Sequence, residues 1–331
     1  MTNLTRRNAL ALLGGMASFG LAACGGSGSA GSADSAASGE KSYKIGVLQL
    51  VEHDALDAAN KGFVEALDEA GITYTIDQQN AQGDQSACQT IASKLVGDGD
   101  DLILAIATPA VEACAGATSD IPIIGTAVTD FAASGLVESN DAPGGNITGS
   151  SDLTPVADQI KMLHTILPDA KEVGVLWCTA ESNSDLQAQM AIDACKEYGI
   201  NATNYPVSSS NEIQSVVESM AGKVDAIYTP TDNTIAAGMS TVTMVADDNK
   251  IPVIAGEEGE FNAGALCTYT ISYKELGKLA GKMAVRILVD GEDPATMPIE
   301  YYPSDKLTLL YDEKKAADLG IDPSVWEKLD A

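Results

Sequence analysis

KIGVLQLVEHDALDAANKGFVEALDEAG, residues 44–71, sets the architecture. Its first seven residues form a short apolar run of strand length. From Ala55 onward Leu56, Ala59, Phe63, Ala66, Leu67 and Ala70 recur at helical spacing, and Gly71 stands where a helix would be capped. A strand apolar along its whole length must be covered on both faces. Strand followed by amphipathic helix therefore predicts a parallel sheet between two helix layers.

The same unit recurs along the chain. TYTIDQQ (73–79) is followed by a helical stretch over 85–99, and DLILAIA (101–107), PIIGTAV (122–128) and NITGS (146–150) read as further strands. A second series starts after Ser151. It has strands at EVGVLW (172–177), near 203–207, at VDAIYT (224–229) and at PVIAG (252–256), with helices over 183–199, 211–222 and 233–248. Two series in one chain predict two doubly wound α/β lobes with parallel sheets. About 290 residues from position 43 on suit two lobes better than one core. ISYKELGKLAGKMAVRILVDG (271–291) reads as one long helix with Leu276, Leu279, Ala280, Met283, Ile287 and Leu288 on a common face. MPIEYYP, KLTLLYD and a short helical end close the chain.

The first residues have a different character. MTNLTRRN carries Arg6 and Arg7 and no acid, and Ala9 to Ala23 is apolar or small. About fifteen such residues are too few for a permanent transmembrane helix, and the pattern is that of an export signal over 1–23. Leu21-Ala22-Ala23-Cys24 resembles a bacterial lipobox, which implies cleavage before Cys24 and a diacylglycerol on its sulfur. Residues 24–42, rich in Gly, Ser and Ala, read as a flexible tether. Thr5-Arg6-Arg7 is similar to a twin-arginine signal but has Ala9 where a bulkier residue is usual, so Sec and twin-arginine export both stay open.

Composition narrows the function. With 19 Lys and Arg against 47 Asp and Glu the net charge is −28, which excludes the basic footprint that nucleic acid requires. It also argues against lying flat on anionic lipid. Cys88, Cys114, Cys178, Cys195 and Cys267 have no disulfide or metal spacing, although export would permit a Cys88–Cys114 bridge. His53 and His164 are the only imidazoles and form no Cys/His cluster, so no metal site is expected. There is no G-x-S-x-G elbow, no phosphate loop and no dinucleotide fingerprint. No catalytic residue and no cofactor are therefore assigned.

Ligands of open α/β sheets bind beyond the carboxyl ends of the strands. Those ends carry Glu52 and His53, Thr108 and Pro109, Thr129 and Asp130 in the first series, and Glu181, Asn183, Asp232, Asn233 and Glu257 in the second. Asp152 lies at the crossing between the series. Thr108-Pro109 has the signature of a helix start, Thr as cap and Pro in the first turn, which would aim free amides at a carboxylate. Thr154-Pro155 repeats it. Several acids around one cleft suit an ammonium group. Trp177, Tyr228 and Tyr273 are candidates for stacking or for core packing.

VLQLVEHDALDAANKGF, NAQGD, DLILAIATPA, IPIIGTAVTD, GLVES, PGGNITGSSD, VDAIYTPTDN and GALCTYTISYKELGKLAG together resemble bacterial ABC-transporter substrate-binding lipoproteins, in the subgroup associated with aromatic amino acids. The resemblance implies a type I periplasmic-binding-protein fold with three crossings between lobes. Lobe one would be 43–150 plus 271–293, and lobe two 151–270 plus 294–331. It implies a monomer, anchored by lipid to the outer face of the bacterial cytoplasmic membrane, that passes an amino acid to an ABC permease and its ATPase. Thr108 and the amides around Thr129 would take the ligand carboxylate, and Asp152 or Asp232 the amine. Trp177-Cys178 stands where a smaller or Tyr-type pair is usual in that family. A ligand-sensing receptor domain of the same fold, or a carrier for a solute other than an amino acid, remains the alternative.

Overall fold

The computed structural model describes residues 41–329. The expected export signal and Cys24 lie outside the described residues, as does nearly all of the expected tether. Ser42, assigned to the tether, already belongs to the first strand.

Among the described residues, twelve strands form two six-stranded sheets. The first holds β1 (Ser42–Gln49), β2 (Thr73–Asn80), β3 (Leu102–Ile106), β4 (Ile123–Val128), β5 (Ile147–Ser151) and β11 (Glu300–Tyr301), in the order β11-β5-β4-β3-β1-β2. The second holds β6 (Glu172–Cys178), β7 (Asn201–Val207), β8 (Ala226–Thr229), β9 (Val253–Ala255), β10 (Cys267–Thr270) and β12 (Thr308–Tyr311), in the order β12-β10-β9-β8-β6-β7. β3, β4 and β5 are buried at every position, as their unbroken apolar or small-residue runs require. One core fills the first lobe, and two lie in the second around Tyr228 and Leu176. Among the described residues no helix is long and apolar enough to cross a membrane.

The structure differs from the sequence reading at several points. β12 runs antiparallel to β10, so the second sheet is mixed. The boundary expected at residue 293 moves toward the C-terminus. Met297 and Ile299 are buried in the first core, the Thr148 hydroxyl donates to the Met297 carbonyl (2.8 Å), and β11 pairs in parallel with β5. A two-residue strand leaves no periodic trace in the sequence. The helix read over 233–248 is two helices, Asn233–Ala237 and Met239–Asp248, broken at Gly238, where a Cβ would lie 2.4 Å from Ile213 Cδ1. The long C-terminal helix is α-helical over Tyr273–Val285 and widens to a π-turn over Arg286–Asp290. Helix Glu258–Asn262 and β10 are not marked by the sequence pattern at all.

Cys88, Cys114, Cys178, Cys195 and Cys267 are buried free thiols. Tyr228 and Tyr273 are core residues, and Trp177 packs against the second core with its indole N–H donating to Asn204 Oδ1 at 3.0 Å. None of the three lines the space between the lobes.

The returning helix Tyr273–Val285 is fixed to the first lobe by close packing on helix Asp54–Ala70. A Cβ on Gly277 would sit 1.8 Å from the Ala59 carbonyl oxygen, and one on Gly62 would sit 1.9 Å from that of Lys274. Gly71, by contrast, closes its helix in the left-handed region (φ +67) with open space around it. Gly71→Ala should therefore cost about 1 kcal/mol from backbone strain. Gly277→Ala should cost about 3 kcal/mol or more from overpacking against backbone. Urea unfolding of the two variants checks the order.

Candidate ligand-binding site between the lobes

The carboxyl ends of both sheets face each other, and side chains bridge the gap. His53 Nε2 lies 3.2 Å from Asn233 Oδ1, and Gln187 Nε2 donates to Thr129 Oγ1 at 3.1 Å. Gln85 Nε2 donates to the Ala180 carbonyl at 2.5 Å, and Ser182 Oγ to Glu112 Oε1 at 2.8 Å. The lobes are closed on each other. Between them lies a cavity of about 170 Å³ bordered by Val51, Pro109, Cys178, Glu181, Asn233 and Thr234, and no aromatic ring lines it. A larger cavity of about 560 Å³ sits beside Leu167 and Ile321, at the other end of the second sheet. None of the unpaired buried polar atoms lines that one.

Five carboxylates are buried around this junction: Asp152, Glu181, Asp232, Glu257 and Glu260. None takes part in an ion pair among the described residues. Each is held by hydrogen bonds instead. Glu181 accepts four, from the backbone N–H groups of Asn233 (3.2 Å) and Thr234 (2.8 Å) and from Asn233 Nδ2 (2.6 Å) and Thr234 Oγ1 (2.8 Å). Asp232 caps Ile235 N–H and also accepts from Cys178 N–H. Glu257 caps the helix Glu258–Asn262 through Gly259 and Glu260 N–H. Glu260 accepts from Thr229 Oγ1 and Gly256 N–H. Asp152 accepts from the Tyr273 hydroxyl at 2.8 Å.

Burial without a cation raises Asp152, Asp232, Glu257 and Glu260. Asp152 is pushed up to about 6, chiefly by desolvation, although the Tyr273 bond pulls the other way. Desolvation lifts Asp232 to about 8 with help from the Glu181 charge, and lifts Glu257 to about 8 as well. Glu260 is raised by burial and by Glu257. His53 is lowered by burial, against the pull of Asn233, Glu181, Asp57 and Asp54.

Several buried polar atoms at the junction have no partner within the protein: Thr108 Oγ1, Asp152 Oδ1, Asn183 Oδ1, His53 Nδ1 and Glu260 Oε1. Such atoms cost about 1–3 kcal/mol each when left without a partner. Backbone geometry helps to aim two strand ends. Ala107 (φ +87) and Ala127 (φ +55) both take left-handed conformations, just before Thr108 and Thr129. That is uncommon for residues with a Cβ.

The residues named from the sequence fall into two groups. His53, Thr108, Pro109, Thr129, Asp152, Glu181, Asn183, Asp232, Asn233 and Glu257 come together at the junction. Glu52 is exposed on the outer surface near Gln78 and Asn80. Asp130 Oδ1 is used by Ala133 N–H and Asn140 Nδ2 to close the following loop. Neither faces the other lobe. Thr108 does not cap its helix: Ala107 holds the cap position, Thr108 is the first helical residue, and its hydroxyl is left free for another partner. Thr154 likewise caps nothing. Its hydroxyl lies 3.4 Å from that of Thr231.

Sequence reasoning missed Gln187, Glu260 and the structural use of Tyr273. Gln187 stands four residues after Asn183, on the same helix face, and that spacing was available as a signal. Glu260 stands three residues after the cap Glu257, a capping-box position.

Two α/β lobes closed around a polar, cation-free junction define a two-lobed solute-binding protein. The family model for ABC transporter substrate binding proteins matches residues 44–325, and the chain belongs to that family. Such proteins work outside the cytoplasm. Among its relatives, a tyrosine-binding protein of Clostridioides difficile (strain R20291) is 42% identical over 284 residues, 85% of this chain and 82% of that protein. A Streptococcus pneumonia ABC domain solved with L-Trp is 37% identical, with a TM-score of 0.83 over 87% of this chain and 98% of the other. The ligand-free, open structure of a Clostridium difficile substrate-binding protein with adhesive properties is 42% identical, over 85% of this chain and 95% of the other, with a TM-score of 0.65. The fit is better to the L-Trp complex than to the ligand-free, open structure, although the identity is lower.

The raised carboxyls fix the sign of the pH response. In the unfolded chain these groups titrate near 4, so between about 4 and 8 the folded protein binds more protons than the unfolded one. Stability is then greatest below about 4 from this source and falls as pH rises through 6 to 8. Urea unfolding of ligand-stripped protein at pH 5, 6, 7 and 8 should show a declining midpoint.

Proposed function

We propose that this protein captures an aromatic amino acid between its lobes and delivers it to an ABC permease and ATPase. The observation that carries the amino acid reading is that Asp152 Oδ1 and the Thr108 hydroxyl are both buried and unpartnered, one at the lobe crossing and one at a helix N-terminus. A carboxylate without a cation suits an α-ammonium group. A hydroxyl at the start of helix Thr108–Ala117 suits an α-carboxylate, which the helix dipole also favours. The aromatic side chain is supported by the relatives, one called tyrosine-binding and one solved with L-Trp.

Binding works as a population shift. The ammonium stabilises only the closed form, where it meets the buried acids, so closure is driven by differential affinity. No bond is made or broken. The protein acts as a monomer held to the outer face of the bacterial cytoplasmic membrane by lipid on Cys24. Replacing Cys24 by Ala should move the protein from the membrane fraction to the soluble one, read by fractionation of the expressing cells.

Thermal unfolding of the soluble body, stripped of ligand by unfolding and refolding and scanned against the twenty L-amino acids, sugars and purines, tests the substrate class. A ligand at about 100 times its Kd adds about 2.7 kcal/mol. The expected shift is confined to Tyr, Trp and Phe, and a shift from another class alone sinks the assignment. Asp152→Asn should weaken binding roughly thirtyfold or more, as truncating one side of a buried charge pair does. Because the ammonium favours the ionised Asp152, capture releases a proton. Affinity measured by calorimetry should rise from pH 5 to pH 7 in the wild type, and less so in Asp152→Asn.

A further inference from the structure

Glu181, Asn233 and His53 form a chain of fixed polarity across the junction. The Glu181 carboxylate offers only acceptors, so Asn233 must turn its amide NH₂ toward it, and Nδ2 does donate at 2.6 Å. That leaves Asn233 Oδ1 facing His53 Nε2 at 3.2 Å. Since Oδ1 can only accept, His53 carries its proton on Nε2, and Nδ1 becomes an acceptor with a free lone pair. Nδ1 is buried and has no partner in the protein. Burial also keeps the ring below the usual histidine range, so it stays neutral near pH 7. The residue stands at the N-terminus of helix Asp54–Ala70 without using its side chain as a cap. Val51 and Asn233, on either side of it, both border the cavity between the lobes.

We infer that His53 is a specificity-determining residue whose Nδ1 accepts a hydrogen bond from a donor on the ligand's ring, the phenol O–H of tyrosine or the indole N–H of tryptophan. The inference rests on the aromatic amino acid reading and adds a ranking to it. Phenylalanine has the same ammonium and carboxylate but no ring donor, so it leaves Nδ1 unpaired in the closed cleft. A site with a buried acceptor set for a polar hydrogen discriminates against the analogue that lacks it. Glu181 and Asn233 are positioning residues here, since they set the tautomer without touching the ring donor.

Calorimetric titration of ligand-stripped wild type, His53→Ala and His53→Gln with L-Tyr, L-Trp and L-Phe reads the inference. The wild type should bind Tyr and Trp about tenfold more tightly than Phe, the size of one buried hydrogen bond. His53→Ala should lose that preference by weakening Tyr and Trp about tenfold more than Phe, which shares only the loss of the lobe-bridging contact to Asn233. His53→Gln, which keeps one donor and one acceptor, should recover part of it. Equal loss for all three ligands would put His53 on the shared ammonium and overturn the inference. So would a preference that survives in His53→Ala. A wild type that binds all three equally overturns the inference alone, whereas one that binds none of them overturns the aromatic amino acid reading with it.

Nitrogen-15 spectra of the wild type provide a readout independent of any folding defect in the variants. The chain has two histidines, so assignment against His164 is direct. The expected spectrum has His53 neutral with its proton on Nε2, and an Nδ1 resonance that moves with Tyr and Trp but not with Phe. A proton on Nδ1 in the ligand-free protein would overturn the inference.

Discussion

Carboxylates taken out of water must be neutralised, paired or saturated with hydrogen bonds, and the junction between the lobes has five of them with no ion-pair partner among the described residues. The protein meets this constraint mostly through helix N-termini. Asp232 and Glu257 are caps of short helices, and Glu181 reaches from one helix start to the backbone of another. Each short helix therefore does two things: it solvates an acid and it fixes the wall of the cleft. What remains unsatisfied is small in number and concentrated where the lobes meet. In the function proposed above, a cationic ligand group completes this set of interactions.

The lobes can serve this purpose only if each is rigid in itself while the angle between them is free. The first lobe achieves rigidity by borrowing a late segment. Helix Tyr273–Val285 returns from the second lobe and packs on helix Asp54–Ala70 through glycines that allow backbone to approach backbone. Its first residue, Tyr273, also donates from its hydroxyl to Asp152. The element that locks the first lobe thus also positions the acid at a lobe crossing. Tyr273 N–H donates to Glu258 Oε1 in the second lobe at 2.9 Å, so the same residue also ties the returning helix to the second lobe.

Much of the architecture was legible in the sequence. The apolar runs that became β1, β3, β4, β6 and β8 are continuous because both sheet faces are covered, and such runs can be read without a structure. The ends of those strands named most of the junction residues. What failed did so for identifiable reasons. β11 is two residues long and has no period, and the break falls at Gly238, a glycine packed against Ile213 from a segment distant in sequence. Asp130 and Glu52 sit at strand ends like the others, but a local loop claimed one and the outer surface the other. Gln187 and Glu260 were hidden because a helix position alone does not reveal which partner it will meet.

The sequence by itself determined the two wound lobes, the acidic and cation-poor character of the cleft edges, and the absence of catalytic motifs. These are properties of periodicity and composition, which are local along the chain. Only the tertiary structure decided which acids share one burial site, that Thr108 keeps a free hydroxyl instead of capping its helix, and which nitrogen of His53 carries the proton. Those outcomes depend on the competition among donors and acceptors brought together by closure. In the case of His53, the decision is made by Glu181 and Asn233, more than a hundred residues away in the chain.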